Sequence, residues 1–178
     1  GQRAETNTEV VWPNRQNDRH FVAYNPERTV THRFYRIKPK EGVNLTSKEL
    51  AALLNFSPTS LFTEVLASAG LGQGVLDVTG TTLRRVPVVD PKALSEDVRA
   101  RILDSFDEMA ERTMGSMHQE LGSESSDSID IDSIKEDRRN LDKAIFEDCF
   151  NIDTDAQLDA YSAILRTINE RINKSQSV

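Results

Sequence analysis

The sequence predicts an α+β fold in which a small mixed sheet with short helices is followed by a long helix and a C-terminal helical hairpin. Short runs rich in aromatic and β-branched residues lie within the first ninety positions, capped helical signatures interrupt them, and helical spacing takes over from Pro91 onward. With 178 residues, 37% of them hydrophobic and only 8 Gly and 6 Pro, the chain is long enough to bury a core and too poor in breakers to be fibrous or disordered. No apolar run approaches the ~20 residues that span a bilayer.

His20–Tyr24 and Arg33–Ile37, bounded by Asn25-Pro26 and Pro39, read as strands. Thr46 with Glu49 forms a capping box, and Leu45 with Leu50 occupies the staple positions, so a helix starts at Ser47 and ends near Asn55. Ser57 reads as the N-cap of the next helix, with Pro58 in its first position; Leu61, Phe62, Val65 and Leu66 share one face, and Gly70 stops it. Val75–Val78 and Leu83–Val88 read as strands flanking Thr79-Gly80, which places Arg84 and Arg85 on or beside a sheet. Leu94, Val98, Ile102, Phe106, Met109 and Ala110 then follow helical spacing. Residues 115–132, rich in Ser, Asp and Glu, read as a flexible connection and the first place a protease should cut. Leu141, Ala144, Ile145 and Cys149 define one terminal helix. Leu158, Tyr161, Ile164, Leu165, Ile168 and Ile172, after a Thr154/Gln157 box, define its hairpin partner. The organisation expected is a mixed α/β region over 1–91, a long helix over 92–114, the connection over 115–132 and a helical tail over 133–178.

The net charge of −7 is unevenly placed: residues 1–90 carry +2 and residues 91–178 carry −9. Within 15–40 the balance is +5, from Arg15, Arg19, Arg28, Arg33, Arg36, Lys38 and Lys40 against Asp18 and Glu27. Such an excess suits phosphate contact, although a solvated strand face carries arginines for no other reason than solubility.

No catalytic set converges. Gly70-Leu71-Gly72-Gln73-Gly74 follows a helix and precedes a strand, the reverse of the order a phosphate-binding loop requires. Asp127, Asp130 and Asp132 lack the Gly and terminal Glu of a calcium loop. His20, His32 and His118 have no nucleophile signature and read as strand and surface residues. Cys149, the single cysteine, excludes an internal disulfide, deprives a zinc site of its usual thiolates and reads as a buried apolar residue. The first residues lack the apolar segment of a signal peptide, so a cytoplasmic protein is expected.

Leu53-Leu54-Asn55-Phe56, then Gly72-Gln73-Gly74-Val75-Leu76, then Leu83-Arg84-Arg85-Val86-Pro87-Val88-Val89-Asp90-Pro91 form a spaced series. With Asp137-Arg138-Arg139-Asn140-Leu141-Asp142 and the Arg171–Ser175 ending, this series resembles the C-terminal target-recognition region of restriction-modification adenine-N6 DNA methyltransferases, including those fused to a nuclease. Phe56 stands where that pattern commonly has Ser, and Gln73 where it has Gly. Asn25-Pro26 is followed by Glu27-Arg28, not by the Pro-Tyr of the family's active-site loop.

The resemblance implies a piece of a longer polypeptide whose methylase domain binds S-adenosylmethionine, while this chain reads double-stranded DNA and carries no catalytic centre, cofactor or metal of its own. The contact residues expected are Arg33, Arg36, Lys38, Arg84 and Arg85, with Gln73 on the glycine-rich turn as a base reader. The alternative is a protein-interaction module that docks a methylase or other subunit through its acidic helical tail.

Overall fold

Val10–Pro13 forms β1, the central strand of an antiparallel sheet flanked by β3 (Ala23–Tyr24) and β4 (Phe34–Ile37), with Trp12 opposite Tyr35 and Val10 opposite Ile37. The chain is seen in a computed structural model that describes residues 9–28, 33–69 and 74–177. A second antiparallel sheet joins β2 (Arg15–Gln16), β6 (Leu76–Asp77) and β5 (Ser68–Ala69) in the order β2-β6-β5. The two predicted N-terminal strands are present, the first of them reduced to Ala23–Tyr24.

The helix predicted from Ser47 is α1, Ser47–Leu54, and Thr46 and Glu49 make the reciprocal capping box. Helix α2 runs Ser57–Leu66, so Ser57 is its first helical residue and not its cap, and it ends at Ala67 before Gly70 is reached. The expected strand over Leu83–Val88 is absent. A Thr79/Thr82 capping box instead starts the short helix α3, Gly80–Leu83, and the next segment turns, with Leu83 packed on the core and Val86 buried at the three-residue spacing of a turn. Helix α4, Glu96–Ala110, begins after Ser95, whose hydroxyl accepts from the Val98 amide; Pro91–Ala93 forms a separate 3-10 turn.

The expected connection over 115–132 contains a folded element. Ser116 and Gln119 cap helix α5, Met117–Leu121, and Met117 and Leu121 are fully buried. Helix α6 covers Glu136–Phe146 and helix α7 covers Thr154–Gln176. The α7 cap is Asp153, one residue before the predicted Thr154, and Gln157 is buried. These two helices follow each other directly, but each packs chiefly on an earlier helix, α6 along α4 and α7 along α2, with few contacts between the two themselves.

Two apolar clusters result. One joins the first sheet to α1, α4 and α6 around Leu53, Ile102, Leu141 and Ile145; the other joins α5 and α7 around Leu121, Tyr161, Leu165 and Ile168. Phe56 packs against both, and its ring meets Phe146 edge-on at 4.7 Å between centroids. Cys149 is only partly buried, at the rim of the first cluster.

Gly122 ends α5 with φ +66°, and a Cβ there would lie 2.1 Å from the Ser133 carbonyl oxygen. Both the left-handed backbone and the close approach demand glycine. Gly122→Ala is expected to destabilise the fold by about 1–3 kcal/mol, measured by urea unfolding; a midpoint equal to that of the parent chain refutes the assignment.

Candidate nucleic-acid interface

Strand alternation settles the exposed side of β4. Tyr35 and Ile37 pack on the core, so Arg36 projects from the opposite face, and Arg33, Arg36 and Lys38 are all exposed. Beside this strand sits α3: the position a Cβ would take on Gly80 is 3.9 Å from Tyr35 Cε1. Arg84 caps the C-terminus of α3 and Arg85 follows, both exposed, so they stand at the end of a short helix and not on a sheet. The two basic groups thus come from elements that meet at Tyr35. Gln73 lies outside the described residues.

Arg33, Arg36, Lys38, Arg84 and Arg85 make no ion pair with a described residue. Most arginines elsewhere are paired, although Arg19 and Arg166 are likewise exposed without an ion pair to a described residue. Arg99 pairs with Glu49 at 2.8 Å, Arg101 with Asp97 and Asp148, and Arg139 with Glu147 at 2.9 Å. Arg112 forks onto both Glu120 and Asp137, and these charge-assisted bonds raise its already high pKa further.

Inside the molecule, residues of the motif series meet one another. The Asn55 carboxamide binds Val22 as a third strand would, accepting from its amide and donating to its carbonyl. Arg138, 2% exposed, donates to Glu120, to the Ser57 hydroxyl and to the Asn55 carbonyl. Asp142 accepts from the Ser57 amide at 2.9 Å, from the Ser57 hydroxyl and from the Tyr161 hydroxyl. Because Phe56 has no capping side chain, the N-terminus of α2 is capped by a carboxylate from α6. Burial pushes the Asp142 pKa up despite the nearby Arg138 charge and these donors. Burial also opposes ionisation of Glu120, but bonds from Arg112, Arg138 and the Gly115 amide prevail and bring its pKa down to about 2.

A second network ties α7 to α2 and to the segment before β3. Arg171 forks onto Glu64 at 2.7 and 2.8 Å and donates to the carbonyls of Asn17 and Gly74. His20 Nε2 lies 2.7 Å from the same Glu64 carboxylate. Burial would raise the Glu64 pKa, yet His20 and Arg171 hold it below the ordinary range. His20 is therefore neither a strand nor a surface residue. His118 is buried too, bonded to Asn169 at 2.8 Å, and His32 lies outside the described residues.

An apolar cleft of about 370 Å³ opens between Phe21–Tyr24 and the end of α4, lined by Phe106, Met109 and Met114 with Arg112 at its edge. Among the described residues no group of His, Cys, Asp and Glu is arranged to hold a metal ion, and no helix is long and apolar enough to cross a membrane. Compared with family models, curated proteins and solved structures, the chain finds no match.

Proposed function

We propose that this chain is the DNA-contacting target-recognition part of an adenine-N6 DNA methyltransferase, with Arg33, Arg36, Lys38, Arg84 and Arg85 as its phosphate and base contacts. The observation that supports this is the division among the cations. Arg99, Arg112, Arg138, Arg139 and Arg171, buried or half-buried among the helices, are committed to carboxylates of the same chain, whereas the five in and beside β4 and after α3, like Arg19 and Arg166, face solvent with no described ionic partner. Phe34, partly exposed on the same side of β4 as Arg36, adds an apolar surface next to that arginine. In this reading the methyl donor S-adenosylmethionine is held by the methylase domain, and this chain supplies affinity and site preference.

A second reading draws on Phe150, 46% exposed beyond α6 next to the acidic Asp148: the helical tail docks a protein subunit. Fluorescence anisotropy with duplex DNA separates the two. Binding is expected to weaken with salt, and each phosphate-contacting cation replaced in an Arg33→Ala, Arg36→Ala and Lys38→Ala series is expected to reduce the slope of log affinity against log salt by about one. Loss of a base reader is expected to relax site preference by about 1–3 kcal/mol. If the series leaves affinity and slope unchanged, the basic surface is not the DNA contact.

A further inference from the structure

Four buried side-chain atoms among the described residues have no hydrogen-bond partner: Trp12 Nε1, Gln16 Oε1, His20 Nδ1 and Arg138 Nη2. Their residues are 3%, 4%, 7% and 2% exposed. All four residues line one small cavity beside the N-terminal turn of α2. Leaving one such atom unsatisfied costs about 1–3 kcal/mol, so four gathered on one cavity call for a common partner.

We propose that this cavity is a binding site for one water molecule, which bridges β1, β2, the segment before β3 and α6. Size and valence both support water. About 10 Å³ of the cavity is open to the centre of a water molecule, room for about one. Trp12 Nε1 and Arg138 Nη2 are donors, and Gln16 Oε1 is an acceptor. His20 Nε2 faces the Glu64 carboxylate and carries the proton, the tautomer in which Nδ1 presents a lone pair. Two donors and two acceptors are what one water molecule satisfies in full. A halide or other anion would face two lone pairs. The bound water completes a polar chain from Glu120 through Arg138 to His20, Glu64 and Arg171, joining two networks that share no other hydrogen bond among the described residues.

Crystals of the full chain are expected to show one ordered water about 2.7–3.2 Å from all four atoms. A bromide soak of the same crystals is expected to leave no anomalous signal in the cavity. A cavity without density, or a bromide peak within it, overturns the proposal. In solution, water-oxygen magnetic relaxation dispersion is expected to detect a long-lived internal water whose contribution falls in Gln16→Leu while the circular dichroism spectrum is retained. An unchanged contribution in that variant likewise overturns it.

Discussion

Glu120→Ala is expected to destabilise the protein by about 3–5 kcal/mol, the cost of leaving a buried cation without its counter-charge. Glu120 is fully buried and accepts from Arg112, Arg138 and the Gly115 amide, with Lys135 Nζ 3.5 Å away. Its loss strands Arg138, which has no route to solvent. For a domain of this size the effect corresponds to a fall in Tm of about 6–20 °C. Replacing both partners, Glu120→Leu with Arg138→Met, is expected to be milder than the two single losses added together, because no charge is then left buried. Additive single and double effects would show that the pair is not coupled.

The same carboxylate predicts acid sensitivity. Its pKa lies at about 2 in the folded chain against an ordinary 4.5, so its contribution, about 3 kcal/mol, is fully present above pH 4.5 and disappears as the pH falls toward 2. Asp142 acts with the opposite sign. Its raised pKa favours the folded state while it is protonated, and that contribution is lost as the pH rises from 3.8 through the folded value. Glu120→Gln is expected to flatten the acid limb of stability against pH while leaving the Asp142 contribution in place; an unaltered acid limb would count against the assignment.

Arg171→Ala is expected to cost a similar 3–5 kcal/mol, because Glu64, buried in the interior, would keep only His20 as a partner. The carbonyls of Asn17 and Gly74 would lose their donor as well. Arg171→Lys keeps the charge but cannot fork onto the carboxylate, so it is expected to fall between the two. Hydrogen exchange should quicken around β2 and β6 more than in α4, since Arg171 fastens the polypeptide next to both strands. A loss below 1 kcal/mol in Arg171→Ala would mean the fork carries no stability.

What could be read from the sequence was whatever neighbouring residues decide. Thr46 and Glu49 announce α1 because a capping box is complete within four positions. The Ser116/Gln119 box is equally local, yet the surrounding Ser, Asp and Glu hide it, and the burial of Met117 depends on α7. Arg84 and Arg85 read as strand residues because Leu83, Val86 and Val88 surround them; the Thr79/Thr82 box, with Thr in place of Glu or Gln, carries a weaker signal. The buried charges were illegible for a different reason. Arg138 and Asp142 sit in a helix that reads as polar, and only partners far along the chain make their burial tolerable. The cations around β4 were visible as a charge excess, but that they make no ion pair with a described residue emerges only from the fold.

Asp142 lies 85 residues beyond the Ser57 amide that it caps. At the roughly 5–20 residues per second of protein synthesis, about 4–17 s separate the emergence of α2 from that of its own cap. During that interval the first turn of α2 is held by Pro58 and its local hydrogen bonds, among them Ser60 Oγ to the Ser57 carbonyl, while the Ser57 amide must be served by water. The helix is therefore completed by the arrival of α6, so the final structure of an early segment waits on a late one, and folding of the two halves cannot proceed as independent events.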